Sequence, residues 1–376
     1  MLCTNTVVFL PFLKMNEINH KIRIKDIANL AGVSEGTVDR VLHHRGDVSA
    51  KSLEAVTKVL DEINYKPNLL ARSLASKKQY RFVCLFPEHQ TSDYWESISK
   101  GFDLAAKEFY HHNVRIEKRL FNQFDVFSFI DISNEIYEDR PDAVFISPIF
   151  KEETLAFAAK LSKENIPFSF IDSMIDEAPF VTYYGQNSFQ SGYIAAKFLL
   201  NSLWDNAQIL VIRTQRKGSA SNQTLNRYKG FMHFLDENNL KQKIEIINIE
   251  LKDKDENENL SAIAQAFEIN KNVKAAITFN SKVYRLAGYL EKLNHTNVQL
   301  IGYDLLEKNV AYLKQNVISY LIAQRPEKQA YFTVSDMCKE LIFKQEVNRI
   351  NYVPIDILIK ENIGDYLSFQ NEDIMK

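Results

Sequence analysis

The stretch Ile24–Lys78, IKDIANLAGVSEGTVDRVLHHRGDVSAKSLEAVTKVLDEINYKPNLLARSLASKK, decides how the chain is read. Ile24, Ile27, Ala28 and Ala31 recur at three- and four-residue spacing, which predicts a helix with one apolar face. Gly32 interrupts that pattern. Ser34 is then a good N-cap for a second helix, SEGTVDRVLHH, whose inward face is Val38, Val41 and Leu42. Ser49 caps a third, with Leu53, Val56, Val59, Leu60 and Ile63 as its buried stripe. Pro67 stops the pattern before LLARSLASKK, a short amphipathic linker.

Two short helices joined by a Gly-containing turn, with polar residues opening the second, form the helix-turn-helix pattern, although an unrelated three-helix bundle has the same periodicity. Such a second helix lies in the DNA major groove with its first residues at the base edges. Glu35, Gly36 and Arg40 fall nearest the bases, where Arg pairs with guanine O6/N7 and Glu accepts from cytosine N4. Lys25, Ser34 and Thr37 are expected phosphate contacts, which position the protein without reading sequence.

Several fixed pieces carry a resemblance: DIANLAGVS (26–34), TVDRVL (37–42), VS (48–49) and NYKPNLLARSL (64–74). The stretch resembles the DNA-binding head and hinge of the lactose-repressor (LacI/GalR) family. The resemblance implies a helix-turn-helix domain over 21–66 and a hinge helix over 67–79. On operator DNA the hinge Leu of that family wedges into the minor groove; Leu74 holds the matching position, with Ala71 beside it and Arg72 expected near phosphate. His43 completes the expected DNA-contacting set. It stands where the family often has Asn, and Asp39 where it often has Ser, while Gly36 removes a possible base-reading side chain. These departures bear on which operator is read.

From Arg81 the rhythm changes. Short apolar runs, RFVCLF (81–86), AVFISP (143–148), PFSFID (167–172), ILVIR (209–213), KAAITFN (274–280) and QLIGYD (299–304), alternate with segments of helical period such as SGYIAAKFLL (191–200). Strand–helix alternation implies an α/β fold with mostly parallel sheets covered by helices, and about ten strands imply two lobes. In sheets of this kind ligands bind beyond the carboxyl ends of the strands. Polar residues stand at those ends: Ser147, Asp172, Asn280, Asp304 and Gln324, with Arg227 opening the helical pattern LNRYKGF and the pair Tyr94–Trp95 following the first run. Carboxylates and amides pair with vicinal hydroxyls, Arg offers a fixed donor fork, and an aromatic face covers the apolar side of a sugar ring. For any one of them a strand-end cap is the plain alternative.

Residues 80–362 resemble the two-lobed (type I) periplasmic sugar-binding-protein fold that serves the same family as effector domain. The matches are DYW, Arg227 before GF, Asn280, GYD ending at Asp304 and IAQRP at Gln324, with Gln186 and Asn187 in a lobe-crossing motif. The resemblance implies a first lobe of about 80–183 and 325–348, a second of about 184–324 and 349–362, and a tail from 363 to 376. Together the readings point to a cytoplasmic, homodimeric regulator that binds double-stranded operator DNA and a monosaccharide or polyol effector. A nucleobase or other metabolite as effector, and a stand-alone sugar-binding protein, remain the alternatives.

The bulk of the sequence agrees. Net charge over 376 residues is −2. Residues 20–80 hold eleven Lys/Arg against seven Asp/Glu, a local surplus of four, so the remainder carries −6. A basic segment on an acidic body suits a DNA-contacting module. Cys3, Cys84 and Cys338 make no metal or disulfide spacing, and no apolar run reaches membrane-spanning length. His43–His44 and His111–His112 are adjacent in sequence and so do not share a helix face. No P-loop, dinucleotide fingerprint or nucleophile elbow occurs, so neither an enzyme nor a cofactor is expected. MLCTNTVVFLPFLK (1–14) lacks the basic start and cleavage site of a signal peptide; residues 1–20 are expected to be disordered or extraneous, with Met15 as the true start.

Overall fold

The computed structural model describes residues 23–42, 46, 48–63, 78–201, 206–214, 222–252 and 255–373, and the chain divides into two units, Met1–Leu69 and Leu70–Lys376. The expected N-terminal extension, nearly all of the hinge, and His43, Ala71, Arg72 and Leu74 lie outside the described residues.

In the first unit three helices form as the spacing predicts: α1 (Ile24–Ala31), α2 (Glu35–Leu42) and α3 (Ala50–Glu62). Gly32 ends α1 at φ 65°, a left-handed conformation that glycine adopts without a Cβ penalty. Ser34 Oγ accepts the Thr37 amide at 3.1 Å and Ser49 Oγ accepts that of Ser52 at 3.2 Å, satisfying amides that a helix start leaves open. Ile27, Ala28, Val38, Val41, Val56 and Val59 form the buried centre. Leu53 departs from the expectation. It lies one turn before Val56, beyond the end of this small core, and is 48% exposed.

The second unit alternates strands and helices. The first half runs β1 (Tyr80–Pro87), α4 (Tyr94–Phe109), β2 (Val114–Phe121), α5 (Val126–Asp139), β3 (Ala143–Ile146), α6 (Lys151–Lys163), β4 (Phe168–Asp172) and β5 (Tyr183–Gly185). Then come α7 (Ser188–Leu199), β6 (Ala207–Thr214), α8 (Asn222–Glu237), β7 (Ile244–Leu251), α9 (Glu256–Ile269), β8 (Val273–Thr278), α10 (Val283–Lys292), β9 (Gln299–Tyr303), α11 (Glu307–Lys314) and β10 (Tyr320–Ala323). The chain closes with α12 (Pro326–Leu341), β11 (Ile350–Tyr352), β12 (Asp356–Leu358) and α13 (Ile363–Asp373). Two six-stranded sheets result, ordered β11-β5-β4-β3-β1-β2 and β12-β10-β9-β8-β6-β7. Every pairing is parallel except β10 with β12.

All six apolar runs are strands, and their continuous hydrophobicity reflects burial on both faces. β2 and β7, VRIEKRLF and IEIINIEL, escaped that reading because they are edge strands whose charged residues face solvent.

Two boundaries differ from expectation. Tyr183–Gly185 and Ile350–Tyr352 pair with each other on the first sheet, so the chain crosses between lobes at 186–187 and 353–355 rather than after 183 and 348. The expected tail is helical, and α13 packs Ile363, Tyr366 and Leu367 onto the second-lobe core.

Candidate functional site

Hydrogen bonds bring the carboxyl end of β4 in the first sheet to those of β9 and β10 in the second, and the predicted polar residues follow those ends. Asp172, the last residue of β4, and Asp304, just past β9, both have positive φ, 69° and 73°. Two carboxylates held in a sparsely populated backbone region at matching strand ends mark a constrained site.

A hydrogen-bonded cluster joins them. The Tyr94 hydroxyl donates to Asp172 Oδ1 at 2.6 Å, and Gln324 Nε2 donates to Asp304 Oδ1 at 2.7 Å. Gln324 Oε1 accepts from Arg227 Nη2 at 2.9 Å, while Arg227 Nη1 donates to the Phe279 carbonyl at 2.8 Å. The guanidinium lies 3.8 Å from the centre of the Tyr303 ring, a cation–π contact inside the protein. Arg227 is fully buried, yet its Nε has no partner among the described residues. α7 holds the backbone under it: a Cβ on Gly192 would lie 1.8 Å from the Arg227 carbonyl oxygen, so only glycine allows this helix crossing.

Gln223 was not among the predicted residues. From the first turn of α8 its Nε2 donates to Asp172 Oδ1 at 2.8 Å and to Gln324 Oε1 at 3.2 Å, bridging the lobes. It lies four residues before Arg227, hence on the same helix face; once Arg227 was placed, that spacing was the available signal.

Burial, with the Asp172 charge nearby, pushes the Asp304 carboxyl up to about 7 although Arg227 and Gln324 pull it down. Burial also raises the Tyr94 phenol well above its ordinary value, with Asp172 and Asp304 adding to it. Tyr94 therefore stays a neutral donor to Asp172.

The remaining predicted residues sit as follows. Trp95 packs edge-on against Tyr94 at 5.1 Å and, with Tyr94 and Asn280, lines a cavity of about 80 Å³. Asn280 Nδ2 donates to Thr214 Oγ1 at 3.0 Å, and its Oδ1 accepts the Lys282 amide at 2.9 Å, which is also a cap's work. Tyr94, Asp304 and Gln324 line a second cavity of about 170 Å³, together with Leu305, Leu306 and Leu367. Ser147 is fully buried, its Oγ has no partner among the described residues, and it lines neither cavity. Asn187 caps α7 through the Gln190 amide at 3.0 Å, and Gln186 Nε2 ties the first crossing to the Ala323 carbonyl at 2.9 Å.

In the first unit Lys25, Ser34, Glu35, Gly36 and Arg40 are exposed and Thr37 is half-buried. Ser34 and Thr37 bond each other, Oγ to Oγ1 at 2.9 Å, so both serve the start of α2 as well as any phosphate. Glu35 and Arg40 are exposed while Val38 and Val41 are buried. Among the described residues no group of three His, Cys, Asp or Glu is arranged to hold a metal, and no helix is long and apolar enough to cross a membrane.

Paired parallel sheets closing on a polar cluster define a two-lobed ligand-binding fold, here in one chain with a helix-turn-helix unit. Residues 83–345 match the family model described as periplasmic binding protein domain, and residues 23–68 match that of the bacterial regulatory proteins, lacI family. The structure is similar to a protein described as a LacI transcriptional regulator from Bacteroides fragilis, with 37% identity and a TM-score of 0.72 over 77% of this chain and 99% of that one. GanP, a glucose-galactose binding protein from Geobacillus stearothermophilus, shares the fold at 22% identity and a TM-score of 0.66, over 76% of this chain and 99% of its own. The HTH-type transcriptional regulator MalR of Streptococcus pneumoniae is 27% identical over 188 residues, 48% of this chain and 53% of MalR. Catabolite control protein A of Staphylococcus aureus is 28% identical over 161 residues, 39% and 49% respectively. The chain thus spans about half the length of these curated relatives. It belongs to the lacI family of bacterial regulatory proteins.

Proposed function

We propose that the chain is a cytoplasmic, homodimeric transcription regulator that binds a palindromic operator through α2 and the hinge, under the control of a neutral sugar or polyol held between the lobes. One helix per subunit and a two-fold dimer match a palindrome with half-sites a helical turn apart. Lys25, Ser34, Thr37 and Arg72 serve as phosphate contacts, Glu35, Arg40 and His43 as base-reading groups beside the close approach at Gly36, and Leu74 as the minor-groove wedge.

The observation that carries the effector reading is the cross-lobe bond from Gln223 to Asp172, in a cluster with Tyr94, Arg227, Asp304 and Gln324. The cluster alternates donors and acceptors, as vicinal hydroxyls do, so a polyol entering beside Tyr94 and Trp95 replaces internal bonds with its own. Ser147 and Asn280 border the same strand ends. Ligand moves the lobes, and through them DNA affinity, only by its differential affinity for the two lobe arrangements.

Thermal unfolding against a panel of monosaccharides, polyols and nucleobases tests this. Ligand at about 100 times its dissociation constant stabilises by roughly 2.7 kcal/mol. A shift with a sugar or polyol that is lost in Asp304→Ala supports the reading. A shift only with nucleobases transfers the site to that class, and no shift at all removes the effector assignment.

A further inference from the structure

A larger cavity, about 330 Å³, opens on the β5 and β11 flank of the cleft. The first lobe contributes Ser173 and Asp176, from the loop after β4, and Tyr352 of β11; the second contributes Ser188, Asn222 and Asn226. None of Tyr94, Arg227, Asp304 or Gln324 lines it. Asp172 and Gln223 of the central cluster do not line it either, although their sequence neighbours Ser173 and Asn222 do, so the two spaces adjoin. Its size falls at the lower end of small-molecule pockets.

Three features suit it to a ligand. Gln186 lines it at 1% exposure, with its Oε1 lacking any partner among the described residues while its Nε2 is held by Ala323; a buried amide oxygen left unpaired is costly. The Asn226 side chain makes no hydrogen bond among the described residues, and Ser173, Ser188 and Tyr352 add hydroxyls. Charge is nearly balanced, because Lys151 Nζ and Glu177 Oε1 pair at 2.6 Å and leave the Asp176 carboxylate as the surplus. Among the described residues an anion meets that carboxylate with no unpaired cation on the lining, whereas a neutral polyhydroxylated molecule meets amides and hydroxyls from both lobes.

The cavity is also tied to closure. At its rim Asn222 Nδ2, from the second lobe, donates to the Met174 carbonyl of the first at 2.8 Å. A molecule bonded on both sides of that clasp binds the closed arrangement better than the open one and is therefore linked to whatever the central cluster binds.

We propose that this cavity is a second small-molecule site, for a neutral polyol or sugar, whose occupancy is linked to lobe closure. It does not rest on the central cluster being the effector site.

The test is isothermal titration of the full chain, Asp304→Ala, Asn226→Phe and Asn226→Ala with glucose, xylose, maltose, myo-inositol and sorbitol, and with glucose 6-phosphate as the anionic comparator. The expected result is a neutral probe that still binds Asp304→Ala and loses about tenfold affinity or more in Asn226→Phe, which fills the cavity. Asn226→Ala, which only removes the amide, weakens the same probe and guards against misfolding of the larger substitution; melting curves show that each variant folds. On the unaltered protein this probe and a centrally bound one occupy the chain together and each tightens the other, whereas independent affinities would overturn the link to closure. The proposal is overturned if Asp304→Ala abolishes every signal while both Asn226 variants change none, and the central-site reading then stands. Tighter binding of the phosphate than of every neutral probe also overturns it. Absence of binding by any probe to any form also overturns it, while the thermal panel with nucleobases decides the central site separately.

Discussion

Asp304→Asn isolates the buried carboxylate at the centre of the cleft. Asp304 is 4% exposed, and its carboxyl is moved from an ordinary 3.8 to about 7, chiefly by burial. An acid whose folded pKa lies above its unfolded one holds more protons when folded across the interval between them. Stability therefore falls as pH rises from about 4 to about 7, and the full cost is present above that. Integrated from pH 5 to pH 8, this one group costs the fold about 2–3 kcal/mol.

Asn keeps the shape and still accepts from Gln324 Nε2 but has no proton to lose. Urea unfolding of both proteins at pH 5, 6, 7 and 8 reads the difference. The unaltered chain is expected to lose about 2–3 kcal/mol relative to Asp304→Asn across that range, most of it before pH 7. Two curves that stay parallel would refute the argument, because they would mean that Asp304 titrates alike in the folded and unfolded chains.

Three further outcomes follow from the same geometry. Arg227→Met leaves Gln324 Oε1 with only the longer Gln223 bond and takes one donor from the Phe279 carbonyl; it is expected to cost about 2–5 kcal/mol in urea unfolding, with loss of effector-induced stabilisation. Gly192→Ala drives a methyl group against the Arg227 backbone and is expected to destabilise by about 1–3 kcal/mol; an unchanged unfolding midpoint would show that α7 and α8 separate freely. Arg40→Ala is expected to cost about 1–3 kcal/mol on an operator recovered by binding-site selection while hardly changing the salt slope; a slope reduced by about one would make Arg40 a phosphate contact instead.

The parts of the fold legible in the sequence are those where one physical demand dominates. Strands buried on both faces must be apolar throughout, so β1, β3, β4, β6, β8 and β9 stand out as runs. β2 and β7 answer two demands, pairing on one side and solvent on the other, and their charges hide them among the helices. The crossings were misplaced by a few residues for a related reason. β5 and β11 are three residues each and pair with one another across 164 intervening residues of sequence, with β4 on the other side of β5, which no local pattern records.

The candidate site divides in the same way. Asp172, Asp304 and Gln324 were legible because a polar residue ending an apolar strand faces the crevice whatever its exact partners. Gln223 was not, because α8 is polar on several faces and nothing local distinguishes a glutamine aimed at Asp172 from one aimed at water. What distinguishes it is Arg227. Its guanidinium is fixed between Phe279 and Gln324, its backbone is pinned by Gly192, and a residue four positions earlier must then share its face and reach the same cluster. The Gln223–Asp172 bond between the lobes thus depends on a helix packed against α7 in the second lobe and clasped to the Met174 carbonyl of the first through Asn222. Substitutions on the α7–α8 contact, remote from the first lobe, should therefore change how tightly the cleft closes.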